Sequence, residues 1–265
     1  INFGNINFGP ASFIRPNFLG GSSRKVLSTR HYLRSRPHVG QWYHVRPFVE
    51  PDWDRVARRL SGTAVAVILG GGGAKGWAHI GVIKAMIELG IPIDVVGGVS
   101  FGALVGAVYA MMTNIQGMVD CAKILAETGS VGSLLYDLTF PSTAYFTGKV
   151  LNFALLNIFE RVHIEDLWIP FFCTSTDICR FEERVHTEGL LWRYIRASMS
   201  LVGFVPPMCD HGSLLVDGGY ANNYPVAHAP KFGGGLIIKV VVAGDYGSLW
   251  TGFGETLSGW WELFR

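Results

Sequence analysis

The sequence predicts an α/β fold built on a mostly parallel sheet with helices on both sides. Continuous apolar runs such as residues 65–69 (VAVIL) have the pattern of strands buried on both faces. Strand-like and helix-like segments alternate along the chain, as parallel strands joined by crossover helices require. Two glycine-rich turns, at 70–76 and 98–102, each follow an apolar run and precede a helical pattern.

The elements follow in order. Residues 1–23 repeat Asn-Phe-Gly at 2–4 and 7–9 and show no periodic apolar face. Residues 24–60 mix Arg, His and aromatics and end in a short helix at 52–60 with Asp52 as its N-cap. The expected division is a flexible arm and basic extension at 1–60 and a single α/β domain at 61–265. The first strand is 65–69. A helix follows at 78–89, with Ile80, Ile83 and Ile87 on its apolar face and Gly90 as its stop. The second strand is 93–96, and the next helix is 103–112. Residues 95–112 carry no charge over eighteen positions, the length of a membrane span. Gly97, Gly98, Ser100, Gly102 and Gly106 within that stretch, and Asp94 just before it, favour a strand, a turn and a buried helix instead. A further helical stretch lies within 113–131, loops surround 140–142 and 146–148, and 153–159 reads as helix. Strands are expected at 171–177, 214–216 and 236–242, and a helix at 190–199. No solenoid repeat is present.

Composition sets bounds on function. Of 265 residues 49% are apolar and 16% charged, with a mean hydropathy of +0.30. That balance points to a membrane, a lipid substrate or a large α/β core. Residues 1–60 hold ten Lys/Arg and three Asp/Glu, a net of +7, which leaves −5 for the remainder of a chain whose total is +2. The basic segment is either a contact for an anionic lipid surface or a solvated linker. No nucleic-acid-binding module is visible, so nucleic acid is not expected as a partner. Cys121, Cys173, Cys179 and Cys209 lack CxxC spacing and are expected to be buried free thiols. The chain begins at Ile1 with neither methionine nor signal peptide, so a fragment of a longer protein is expected.

The chemistry gathers at the two glycine turns. Gly98-x-Ser100-x-Gly102 sets small residues around a serine between a strand and an apolar helix. A nucleophile elbow needs this because its backbone is strained and folds closely against itself. The helix N-terminus beneath Ser100 favours a developing alkoxide. The loop at 70–76 matches G-x-G-x-x-G, but the acidic residue a dinucleotide needs after the next strand is missing, and Lys75 is followed by Gly76 rather than Ser or Thr. An oxyanion hole of consecutive N–H groups, with a cation nearby, is the reading that uses both turns. The serine also needs a base. Asp177, Asp210, Asp217 and Asp245, and His163, His186, His211 and His228, are the downstream candidates. Two arrangements stay open: a triad of Ser100, Asp217 and His228, or a dyad of Ser100 and Asp217. A non-catalytic lipid- or nucleotide-binding module is the third possibility. No cluster has the spacing of metal ligands, so neither metal nor other cofactor is expected.

GGGGAKG, GVSFG and DGGYANNYP together resemble the patatin-like phospholipase family. Residues 164–168 (IEDLW), 192–198 (WRYIRAS) and 257–261 (LSGWW) are similar to the catalytic domain of its neuropathy target esterase branch. The resemblance covers roughly residues 30–265. It implies a three-layer α/β/α patatin-like fold and a serine–aspartate dyad without histidine. Carried over by position, Ser100 is the nucleophile and Asp217 the base. Gly71, Gly72 and Gly73 supply the oxyanion hole, supported by Lys75, Gly76, Gly98, Gly102, Gly218 and Gly219. It further implies hydrolysis of lysophospholipid or phospholipid acyl esters and peripheral attachment to a membrane from the cytoplasmic side, at the endoplasmic reticulum in a eukaryote. Regulatory cyclic-nucleotide-binding-like domains would precede such a domain. Phe140, Tyr145, Phe146, Phe153, Phe159 and Trp168 are candidates for an acyl channel, and the aromatic segment at 250–264 for interfacial contact.

Overall fold

The computed structural model describes residues 29–39, 41–128, 135, 137–140 and 142–242. The Asn-Phe-Gly arm, Asp245 and the aromatic segment at 250–264 lie outside the described residues. Helix α1 (Thr29–Arg34) is joined to the domain through Thr29, whose N–H donates to Asp166 Oδ1 at 3.0 Å. The Thr29 hydroxyl bonds His44 Nε2 at 2.9 Å, and His44 Nδ1 donates to the Leu167 carbonyl at 2.7 Å. Helix α2 (Glu50–Leu60) starts earlier than expected, with Pro51 in its first turn and Val49 at the cap position. Asp52 is not its cap. It is fully buried, and its carboxylate grips Arg46 at 2.7 Å and Arg55 at 2.9 Å. Arg58 donates through Nε and Nη2 to Asp94 at 2.9 and 2.7 Å, fixing α2 to the foot of the sheet.

The sheet has seven strands: β1 (Ala64–Leu69), β2 (Val95–Val99), β3 (Phe171–Asp177), β4 (Glu182–His186), β5 (Met208–Asp210), β6 (Ser213–Asp217) and β7 (Gly234–Val240). Hydrogen-bonded neighbours run β5-β6-β3-β2-β1-β7, with β4 also on β3. The central run β3-β2-β1-β7 is parallel, while β4, β5 and β6 are antiparallel additions. Every residue of β1 and β2 is buried, as the apolar runs require. β4 and β5 were not expected from the sequence.

Strand β3 pairs with three others, yet a strand has only two edges. β4 occupies one edge over residues 173–177. The other edge is shared. β2 lies along Phe171–Thr174 and ends with Val99 opposite Thr174. β6 comes the opposite way, along Ser175–Asp177, and ends with Asp217 opposite Ser175. The C-terminal ends of β2 and β6 therefore face one another along the same edge of β3.

Helices α3 (Ala78–Glu88), α4 (Phe101–Met112), α5 (Ile115–Thr128), α6 (Lys149–Phe159) and α7 (Leu191–Ser198) complete the frame. On one face of the sheet, Val67, Leu69, Val96, Phe171 and Cys173 join α4 and its neighbours in the larger core. Helix α4 is buried from Gly102 to Met112, so it is apolar on all sides. The 95–112 stretch is thus a strand, a turn and a core helix. Among the described residues no helix is long and apolar enough to cross a membrane. On the opposite face, Ala66, Ile68, Val95 and Phe172 are covered by the 3-10 segment Val226–Phe232, where Phe232 stacks on Phe172 at 5.1 Å. Fully buried side chains such as Leu104, Leu155 and Ile195 each contribute roughly 1.5–3 kcal/mol to this core. Helix α3 stops at Gly90, whose φ is +69°, but its buried face is His79, Ile83 and Met86, while Ile87 points outward. All four cysteines are free. Cys121 and Cys173 are buried as expected, whereas Cys179, in the turn between β3 and β4, and Cys209, on the edge strand β5, are exposed.

Candidate active site

Ser100 and Asp217 are brought together by the register of β3. One follows Val99 at the end of β2, the other is the last residue of β6, and the β3 partners of Val99 and Asp217 are the adjacent residues Thr174 and Ser175. Ser100 lies at φ 52°, ψ −124°, a conformation that a residue with a side chain adopts only when its surroundings impose it. The glycines beside it explain how. A Cβ on Gly98 would lie 2.6 Å from Ala103 Cα, and one on Gly102 would lie 2.2 Å from the Leu69 carbonyl oxygen. Strand, turn and helix fit together only without those atoms.

Asp217 is buried, and its Oδ1 accepts the Gly219 N–H at 2.8 Å. Burial raises its pKa above the ordinary carboxylate value, against the lowering influence of the Ser100 hydroxyl and the Gly219 amide. The Ser100 contact falls short of a well-formed hydrogen bond, and Asp217 Oδ2 is buried without a partner. Such contacts commonly tighten only when substrate binds. Gly218 lets the turn after the base approach β3, since a Cβ there would lie 2.4 Å from the Thr174 carbonyl oxygen.

The 70–76 loop lies against the same place. A Cβ on Gly71 would sit 3.1 Å from Ser100 Cβ. The Gly71 N–H does not stand ready for an oxyanion, however. It donates to Asn223 Oδ1 at 2.9 Å, and Asn223 Nδ2 reaches back to the Gly71 carbonyl at 3.4 Å. Of the three amides expected as donors, those of Gly72 and Gly73 bond to no described residue, whereas that of Gly71 is taken by Asn223. Gly73 has φ +55° and opens the 3-10 turn Gly73–Trp77, on which Lys75 is exposed. Gly76 makes room for the Phe101 ring, whose nearest atom would be 2.5 Å from a Cβ.

The histidines are employed elsewhere. His228 Nε2 lies 3.2 Å from Glu183 Oε2, beside Phe172 on the opposite face of the sheet. His186 bonds the Ser175 hydroxyl at 2.7 Å and stacks on Tyr194. His163 is drawn to Arg30 and Asp166, and His211 sits in the turn between β5 and β6. Asp177 is held by Arg180 and Arg184, and Asp210 by Arg193. Among the described residues no group of three His, Cys, Asp or Glu side chains is placed to hold a metal ion.

The sequence model of the patatin-like phospholipase family matches residues 67–230, the span that carries both glycine turns and Asp217. The chain belongs to the patatin-like phospholipase family. Within it, lysophospholipase nte1 of Emericella nidulans is 43% identical over 245 residues, covering 92% of this chain and 15% of that one. Patatin-like phospholipase domain-containing protein 7 of Rattus norvegicus is 46% identical over 255 residues, covering 91% and 18%. Neuropathy target esterase sws of Drosophila melanogaster is 40% identical over 272 residues, covering 92% and 19%. The chain thus spans less than a fifth of the length of these relatives. Among solved structures, VipD from Legionella pneumophila gives a TM-score of 0.43 at 15% identity, over 61% of this chain and 47% of that one.

Three residues that support this patatin-like site were not singled out from the sequence. Asn223 links the turn after Asp217 to the glycine loop. His79, fully buried and kept neutral by that burial, donates Nε2–H to the Gly70 carbonyl at 2.8 Å. Ser198 accepts the Ser100 N–H at 2.8 Å. Asn223 stands in the quoted DGGYANNYP run, and a polar side chain so near a base and a turn was the available signal. Ser198 ends the quoted WRYIRAS run, but neither it nor His79, each on the buried face of its helix, reveals its partners in local pattern.

Proposed function

We propose that this chain is a serine esterase that hydrolyses fatty acyl esters of lysophospholipids or phospholipids and releases free fatty acid. The observation that carries the reading is a serine on a strained strand-to-helix turn facing a buried carboxylate with one unpartnered oxygen. Asp217 takes the hydroxyl proton as Ser100 Oγ attacks the ester carbonyl. The amides of Gly72 and Gly73 stabilise the resulting oxyanion, each such donor being worth roughly 10²- to 10³-fold in rate. The alcohol leaves with the proton, and water activated by Asp217 releases the acid from the acyl-enzyme. The raised pKa of Asp217 suits a base better than an exposed carboxylate would. The names of the relatives, lysophospholipase and patatin-like phospholipase, support the substrate class.

The dyad is favoured over a triad because His228 packs edge-on against Phe172 with its Nε2 beside Glu183, and bonds to neither Ser100 nor Asp217. Action at a membrane surface is supported by exposed Leu201, Val202, Phe204 and Tyr220. Three of these follow the Ser200 carbonyl that holds Asp217, and the fourth is three residues beyond the base.

Fatty acid release from lysophosphatidylcholine tests the reading. Ser100→Ala and Asp217→Asn should each lower turnover by at least about 10³-fold with unchanged circular dichroism, and His228→Ala should keep it within a few-fold. Near-normal turnover by either of the first two variants refutes the dyad. Collapse of the third restores the triad.

A further inference from the structure

We propose that Ser198 is a positioning residue for this reaction: its hydroxyl ties the backbone of the nucleophile to the strand that aligns the base. The proposal rests on the Ser100–Asp217 reading and deepens it. Ser198 closes helix α7 and is fully buried. It accepts the Ser100 N–H at 2.8 Å and donates to the Thr174 carbonyl at 2.6 Å. Thr174 is the β3 residue opposite Val99, and its carbonyl oxygen is the atom that Gly218 approaches. One hydroxyl therefore spans from the nucleophile turn to the turn after the base. Two residues on, the Ser200 carbonyl accepts the Asp217 N–H at 2.9 Å. The end of a single helix thus holds the main chain of both reacting residues.

Two features separate this from ordinary packing. The strained conformation of Ser100 needs an anchor, and Ser198 is the partner of its N–H among the described residues. The link also demands a group that accepts and donates at once, which a hydroxyl does and a methyl does not. Ser198→Ala would leave a buried N–H and a buried carbonyl unpaired beside the reacting atoms. The anchor is itself made rigid by Arg196, a buried guanidinium that donates to Ser200 Oγ, to Asn152 Oδ1 at 2.9 Å and to the Pro206 carbonyl at 3.2 Å.

The test uses the whole chain, a p-nitrophenyl acyl ester and a fluorophosphonate that reports the attack step alone. For Ser198→Ala, kcat and the phosphonylation rate constant should fall together by about 10- to 100-fold, the scale expected of a misplaced reacting group, with KM within about twofold. Ser198→Thr, which keeps the hydroxyl, should recover most of the loss. If Ser198→Ala does not fold, Ser198→Cys serves instead, with its weaker acceptor giving an intermediate rate. Ser213→Ala removes another buried hydroxyl, at the far end of β6, and should lower Tm without changing kcat. Wild-type kcat in the Ala or Cys variant overturns the proposal. So does a loss of rate in step with Tm that Ser213→Ala reproduces, or a rise in KM alone. Ser100→Ala, run in parallel, keeps the outcomes distinct: if it still turns over, the dyad reading fails, whereas an indifferent Ser198 sinks only the positioning role.

Discussion

The two glycine turns are both closely packed, but by different kinds of atom. At 98–102 the close neighbours are backbone atoms, Ala103 Cα at Gly98 and the Leu69 carbonyl at Gly102. At 70–76 they are side chains: Tyr224 at Gly70, Asn223 at Gly71 and Phe101 at Gly76, with open space around Gly73. The nucleophile turn is thus dictated by the strand and helix on either side of it. The amide loop is dictated by side chains that can be exchanged one at a time. The first has one geometry or none, while the second can be retuned.

Gly102→Ala should break the rigid turn outright. With backbone 2.2 Å away, the new methyl has nowhere to go, and a loss of more than about 3 kcal/mol in urea unfolding is expected. A folded variant of normal Tm would erase the contrast. Asn223→Ala strikes the loop at its side-chain tether. It should lower kcat by about 10²-fold and stability by only about 1 kcal/mol. Asn223→Asp, which keeps the acceptor for Gly71, should lie between. A smaller fall in rate than in stability would mean that the loop does not depend on its tether.

Acidification separates the base from the frame around it. As the proposed base, Asp217 would act when ionised, and its pKa is raised, so kcat/KM should fall as pH drops through a midpoint above the ordinary aspartate value of about 4. The linkage to stability runs the other way. A carboxyl whose folded pKa exceeds its unfolded one favours the fold only once protonated, so Asp217→Asn should have a Tm at pH 7 equal to or above that of the wild type. His44 and His186 carry the opposite sign. Burial holds both at about 4, below the unfolded value of 6.5. Their contribution is present above 6.5 and is lost as pH falls through that window, so Tm should decline from 6.5 to 4 even while the Asp217 contribution improves. The mildest change is Gly73→Ala. Its methyl meets nothing, but φ +55° costs a side chain about 1 kcal/mol, and turnover should fall less than tenfold.

Much of the frame was legible because parallel strands buried on both faces advertise themselves. β1 and β3 lie within a residue of where their apolar runs place them, and helix α7 does too. β4 was not legible, because its residues (EERVH) are mostly charged and partly exposed, with pairing along one edge of β3. β5 is only three residues long. Asp52 reads as a helix cap because an acidic residue before an apolar helix usually is one; its burial against two arginines depends on segments that only the fold brings together. The same holds at the site. Ser100, Asp217 and the glycines around them announce themselves in their own turns. That Asn223 captures the Gly71 amide, across 152 positions of chain, is a property of tertiary structure.

Strand β3 lends no atom to the proposed chemistry, yet it serves as the ruler on which the two reactive ends are marked off. Because consecutive positions of a strand face opposite sides, inserting one residue between Thr174 and Ser175 would move Asp217 by one step and turn its carboxylate away from Ser100. Such a change would leave every motif intact to the eye and the enzyme silent, so an inactive relative is best sought by measuring that interval as well as by inspecting its serine and aspartate.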